Sequence, residues 1–127
     1  MRKENSTNFW NESQIKKNCG MAYTLSVLNG RWKPTLIWQL LEHKRIRFSE
    51  FKKSIEGISE RVLSTQLKEL EADKLVTRIA YNEVPPRVEY ELTELGLSMR
   101  PLLDSMTEWG EMHRDKKKES DRTDVPK

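Results

Sequence analysis

Residues 47–76 read RFSEFKKSIEGISERVLSTQLKELEADKLV, a stretch that carries two helix starts and a glycine between them. Ser49 is a good helix N-cap, followed by Glu50 in the first turn, where a negative charge complements the helix dipole. FKKSI continues that helix, and Glu56-Gly57-Ile58 interrupts it with a glycine able to take a left-handed backbone conformation. Ser59 caps again with Glu60 behind it, and the pattern predicts a longer helix to about Ala72. Two helices, the first short, joined by a tight turn containing Gly are the helix-turn-helix pattern.

The second of these helices has two distinct faces. Leu63, Leu67 and Leu70 stand at i, i+4, i+7 and point inward. Arg61, Ser64, Thr65 and Lys68 stand at i, i+3, i+4, i+7 on a different face, with cations and small hydroxyls and no acid. On an arbitrary helix such a face is simply solvated. On the second helix of a helix-turn-helix it is the face offered to the major groove, where Arg forks onto guanine and Ser or Thr bonds to either kind of base edge.

Downstream, after a turn around Asp73 and Lys74, VTRIAY at 76–81 is rich in β-branched and aromatic residues. RVEYEL at 87–92 alternates strictly, with Val88, Tyr90 and Leu92 on one face and Arg87, Glu89 and Glu91 on the other. The intervening Asn82-Glu83-Val84-Pro85-Pro86 is too rigid and polar for a strand. A hairpin directly after a helix-turn-helix is a wing, from which Arg78 and Arg87 reach phosphate or a minor groove, or pair across strands with Glu89 or Glu91. Thr93 then caps a final helix with Glu94 behind it. Leu95, Met99, Leu102, Leu103, Met106, Trp109 and His113 keep helical spacing along it, and Pro101 is expected to kink it. So long an apolar stripe either folds back onto its own core or pairs with a second chain.

Upstream, Met21–Leu28 reads as a helix with Leu25 and Leu28 on one face and Gly30 as its stop. Pro34 suits the first turn of another, whose stripe is Leu36, Ile37, Leu40 and Leu41, with His43 a solvated residue at its end. All Leu, Ile, Val and Phe except Phe9, Ile15 and Val125 lie between Gly20 and His113, so both ends read as polar arms.

The chain has 127 residues and a formal net charge of +3, an excess too small to identify a nucleic-acid partner without regard to placement. Placement is informative. Residues 44–53 hold Lys44, Arg45, Arg47, Lys52 and Lys53 against Glu50, whereas residues 90–110 hold Glu91, Glu94, Asp104 and Glu108 against Arg100. One end suits phosphate and the other a protein partner. No apolar run approaches a membrane span and the N-terminus lacks an apolar signal region, so a cytoplasmic protein is expected. One cysteine forms no internal disulfide, the two histidines lack ligand companions at metal-site spacing, and no phosphate loop, GxSxG or HExxH occurs. No enzyme, metal or cofactor is therefore expected.

RW at 31–32, RFSEF at 47–51, GISERVLSTQLKELEADKLV at 57–76, PPRVEYELTELG at 85–96 and PLLDSMTEWG at 101–110 together resemble the HxlR-type winged helix-turn-helix regulators of bacteria. The resemblance spans Cys19 to Gly110. It implies a homodimeric DNA-binding transcription regulator that dimerises through its terminal helices. Some members are similar to sensors of electrophiles or oxidants acting through a cysteine near the N-terminus, the place Cys19 occupies. The family usually has Pro after that cysteine, where this chain has Gly20.

The expected fold is therefore α+β, mainly α: a polar N-terminal arm at 1–18, a winged helix-turn-helix domain at 19–113 with a two-stranded wing, and a disordered tail at 114–127. A C-terminal dimerisation helix at 94–113 completes that domain. The expected DNA-binding residues are Arg47, Ser49, Ser59, Arg61, Ser64, Thr65, Lys68, Arg78 and Arg87, facing a palindromic double-stranded operator. Leu102, Leu103, Met106 and Trp109 are expected to bury against a second copy, with Phe9, Trp10 or Ile15 contributed by the arm. Cys19 reads two ways. It is a redox sensor favoured by a helix start and by Lys16 and Lys17, answering an oxidant or small-molecule effector, or it is a small buried hydrophobe. Two other functional classes compete with a regulator: a winged-helix protein-interaction module, and a thiol enzyme, which lacks a CxxC partner and a nearby histidine.

Overall fold

Helix propensity, capping and apolar spacing assemble the middle of the chain into two helices braced by a third. The computed structural model describes residues 19–123. In order along the chain these form α1 (Gly20–Val27), α2 (Lys33–His43), β1 (Arg45–Arg47), α3 (Phe48–Ser54), α4 (Glu60–Ala72), β2 (Val76–Tyr81), β3 (Arg87–Leu92), α5 (Glu94–Leu97) and α6 (Arg100–Thr123).

Helix α4 begins where its cap predicts, with Ser59 Oγ accepting from the Val62 N–H at 3.1 Å. Its end is a Schellman turn. The Leu75 N–H reaches the Leu70 carbonyl and the Lys74 N–H that of Glu71, both at 3.0 Å, with Lys74 in the left-handed region at φ 62°. Leu63, Leu67 and Leu70 are buried as their spacing requires and pack in one core with Leu36, Ile37 and Leu40 of α2, Phe51 of α3 and Ile58 of the turn. Each such side chain contributes roughly 1.5–3 kcal/mol by leaving water. Gly57, at φ 86°, makes the turn between α3 and α4. Lys52 Nζ secures that turn, donating to the Ile58 carbonyl at 2.7 Å.

The start of α3 differs from the expectation. Arg47, in extended conformation, is the N-cap, and its N–H donates to Glu50 Oε1 at 2.9 Å. Ser49 lies inside the first turn. The reason is β1, which delivers an extended residue directly to the helix and moves its start forward.

That strand also makes the sheet three-stranded, where sequence alternation shows two. The order is β1-β3-β2, all antiparallel, with Ile46 opposite Tyr90 and Arg45 and Arg47 opposite Glu91 and Glu89. In the wing hairpin Arg78 faces Tyr90 and Tyr81 faces Arg87. Ile46, Val76, Tyr90 and Leu92 are buried on the inner face, and Tyr90 meets Phe51 at a ring-centroid distance of 6.2 Å.

Further differences concern the ends. Thr93 caps as expected, its Oγ1 accepting from the Gly96 N–H at 3.1 Å, but the helix it opens is only α5. Gly96 permits that helix to lie against the sheet, since an added Cβ would overlap the Leu75 carbonyl oxygen and come within 2.9 Å of Leu92 Cδ2. Pro101 does not kink a continuous helix: it stands in the first turn of α6, where its missing N–H costs nothing. Arg100 pins α6 to the core, its Nη2 donating to the Leu41 carbonyl near the end of α2 at 2.7 Å. Helix α6 then continues to Thr123, through residues 114–123 expected to be disordered. No Gly or Pro interrupts Glu111–Thr123, and its Lys, Glu and Arg residues propagate a helix already nucleated. In α1, Leu28 enters the core at the C-cap while Leu25 stays exposed, because only the end of α1 reaches the core. His43 is solvent-exposed at the end of α2, as expected.

Candidate nucleic-acid interface

The inner face of the wing, the basic start of α3 and the outer face of α4 meet around an open concavity of about 720 Å³. Strand pairing puts Arg78 on the same face of the sheet as Tyr90 and Val88, and helical spacing turns Ser64 and Lys68 of α4 toward them. The structure thereby brings together Arg47, Ser49, Ser64, Lys68, Arg78 and Arg87, which stand as far as forty positions apart in sequence. The apolar and aromatic part of the lining is Phe48, Pro86, Val88 and Tyr90. Glu71 is the acid in that lining. Sequence reasoning missed these five, although the alternation that places Val88 and Tyr90 on one face was the available signal.

The remaining expected residues are placed differently. Arg61 and Thr65 are exposed on the same helical face of α4 but do not line the concavity. Ser59 is spent locally, its hydroxyl oxygen occupied by the Val62 N–H. Arg87 carries both readings at once. It lines the concavity, yet its guanidinium is 3.2 Å from Glu83 and 3.7 Å from Glu89 and lies 3.8 Å over the Tyr81 ring. Its charge is thus largely balanced. Arg45 is bound in the same network, donating to Glu91 at 2.8 Å and to the Tyr81 hydroxyl at 3.2 Å, and the Tyr81 hydroxyl donates on to Glu89 at 3.1 Å. Lys68 and Arg61 have no ion-pair partner among the described residues, so their charge is available to phosphate or base. Burial pushes the Tyr90 phenol above its ordinary value, with the Arg78 guanidinium beside it acting in the opposite direction, so Tyr90 stays a neutral hydroxyl.

On α6 the expected interface residues separate. Leu102, Met106 and Trp109 are solvent-exposed, Trp109 at 66%, and its ring stacks on His113 at 5.0 Å. Leu103, at 3% exposure, belongs to the chain's own core and is not free to meet a partner. One helical face cannot serve both, and the α2 side claims Leu103. Sequence reasoning did not anticipate that Met21, Tyr23, Leu25, Leu95, Leu97 and Met112 are exposed as well. Cys19 is the half-buried N-cap of α1, and its side chain makes no capping bond. Phe9, Trp10 and Ile15 lie outside the described residues. Among the described residues no helix is long and apolar enough to cross a membrane, and no group of three or more His, Cys, Asp or Glu is arranged to hold a metal.

Residues 27–118 match the family described as HxlR-like helix-turn-helix. The HTH-type transcriptional regulator YybR of Bacillus subtilis (strain 168) is 45% identical over 100 residues, covering 79% of either chain. Among solved structures, the redox regulator HypR in its reduced form superposes with a TM-score of 0.73 at 42% identity, over 78% of this chain and 97% of that one. Its oxidised form gives 0.69 at 44% identity, over 74% and 96%.

Proposed function

The chain belongs to the HxlR-like helix-turn-helix family and is a DNA-binding transcription regulator, and on that premise we propose that it binds a palindromic operator as a homodimer. The convergence of Arg47, Lys68 and Arg78 with Ser49 and Ser64 on one concavity between α4 and the wing carries this reading. The cations neutralise phosphate and fix register, while the exposed Arg61 and Thr65 of α4 read base edges. Arg87 acts chiefly as a brace for the wing. The second copy covers the exposed Leu102, Met106 and Trp109 of α6, side chains worth roughly 1.5–3 kcal/mol each on full burial. A two-fold pair sets its two α4 helices about one DNA turn, ~34 Å, apart. The protein acts in the cytoplasm and performs no catalysis.

The signal enters at Cys19. In a chain with a single cysteine, oxidation yields a sulfenic acid, a mixed disulfide with a small thiol, or a bridge to the second subunit. Similarity to HypR, a redox regulator with reduced and oxidised forms, supports this, as does the half-exposed position of the thiol at a helix start.

Anisotropy of a labelled duplex, with excess random DNA as competitor, tests the DNA reading. Arg61→Ala is expected to cost roughly 1–3 kcal/mol of operator affinity and to relax base preference. An unchanged affinity and preference removes α4 from the readout. For the thiol, Cys19→Ser is expected to retain operator binding and to lose its response to diamide. A variant that responds like the wild type places the sensor elsewhere.

A further inference from the structure

Lys33 is the one buried charged residue among those described, at 3% exposure, and neither the DNA reading nor the proposed dimer uses it. Its ammonium lies 2.6 Å from Glu69 Oε1 and donates to Asn29 Oδ1 at 3.1 Å. These groups come from three elements: Asn29 from the corner after α1, Lys33 from the first turn of α2, and Glu69 from α4. Glu69 follows Thr65 by one helical turn, so it flanks the base-facing row on the side away from Ser64 and Glu71. The same flank carries Gln66, whose Oε1 is buried without a partner and lies 3.9 Å from where a Cβ on Gly30 would stand. The corner at 29–33 therefore holds one side of α4 through the Lys33–Glu69 ion pair, while Leu63, Leu67 and Leu70 pack on its apolar side.

Burying an ammonium is expensive, and a well-packed apolar pair would stabilise the fold at least as well. A charged pair adds direction. Apolar burial is non-directional, whereas the 2.6 Å ion pair, anchored by a second acceptor, has a fixed geometry. In the proposed readout Arg61 forks onto a base edge and Thr65 bonds to one through its hydroxyl, and the direction of both depends on the roll of α4.

Resting on the DNA-binding reading above, we propose that Asn29, Lys33 and Glu69 form a clamp that fixes the roll of α4, so that Lys33 is a positioning residue for sequence discrimination. Being buried, it touches no DNA. The clamp acts on the ratio of specific to non-specific affinity, which partial loss of stability leaves unmoved because both affinities scale with the folded fraction.

The probe is a duplex enriched by the wild-type protein from a random-sequence pool, compared with an unenriched duplex of the same length. Lys33→Met, which keeps the buried stem, and Glu69→Gln are each expected to lower the affinity ratio about tenfold, with the non-specific affinity of Lys33→Met within about twofold of wild type. The double variant is expected to be no worse than either single, since the pair acts as one unit. If Lys33→Met does not fold, Glu69→Gln, altered on the half-exposed partner, decides alone. Folded variants whose ratio stays within about twofold of wild type overturn the clamp. A wild-type protein that enriches no sequence overturns the DNA reading and the clamp with it.

Discussion

Lys68 and Arg87 line the same concavity, yet the structure assigns them different electrostatic roles, and salt dependence separates them. Lys68 is exposed and unpaired, whereas Arg87 is held by Glu83, Glu89 and the Tyr81 ring. Each phosphate contact contributes ~0.9 to the slope of log affinity against log salt. Losing Lys68 from both subunits of a dimer should flatten the slope by ~1.8. Between roughly 50 and 200 mM salt, a fourfold rise, Lys68→Ala should therefore lose affinity ~12-fold less than the wild type does. Arg87→Ala combined with Glu83→Gln removes a cation together with the charge of its nearest partner and leaves the net charge unchanged. Its slope should stay within ~0.3 of wild type. The assay is fluorescence anisotropy of a labelled duplex across that salt range. If the Arg87/Glu83 variant flattens the slope as much as Lys68→Ala, or Lys68→Ala leaves it unchanged, the division between free and balanced cations is wrong.

Trp109→Ala should leave the fold intact but shift the proposed dimer to monomer in sedimentation at micromolar concentration, whereas Leu103→Ala should cost ~2–5 kcal/mol of stability in chemical denaturation, because Leu103 is core. Gly96→Ala should destabilise by ~3 kcal/mol or more, read from its denaturation midpoint, because backbone rather than a flexible side chain blocks the new methyl group. The raised Tyr90 phenol predicts a pH effect with a definite sign. Above the ordinary tyrosine value of 10.0 the unfolded chain releases a proton that the folded chain retains, so stability falls as pH rises through that region. Urea unfolding at pH 8 and at ~pH 11 should show a smaller loss for Tyr90→Phe than for wild type.

Local rules carried much of the fold, and they failed where a partner distant in sequence decided the outcome. The Ser59 cap, the Gly57 turn, the Leu63/Leu67/Leu70 row and both wing strands are written in neighbouring residues, and each stands where its spacing puts it. Strand β1 is three residues long, too short to display alternation, and exists because β3 offers it an edge. That unseen strand also displaced the cap from Ser49 to Arg47. Pro101 sits between apolar residues at helical spacing, which hides the fact that the chain restarts there. The stripe on α6 shows that Leu102, Leu103, Met106 and Trp109 are apolar, but only the position of α2 decides that Leu103 turns inward. For the candidate interface, the α4 face was legible as a row of residue types. Its union with Tyr90, Phe48 and Arg78 required the register of β2 against β3. The Lys33–Glu69 pair was illegible for the same reason, since a lysine beside a proline at a helix start reads as solvated until its partner is brought to it.

Selection of bound duplexes from a random pool, followed by sequencing, tests the central claim most directly. A two-fold dimer reading DNA through α4 predicts an enriched inverted repeat whose half-site centres lie ~10–10.5 base pairs apart, and an Arg61→Ala protein that enriches a more degenerate version of it. Enrichment of no sequence, or of a single unrepeated site left unchanged by Arg61→Ala, contradicts the account.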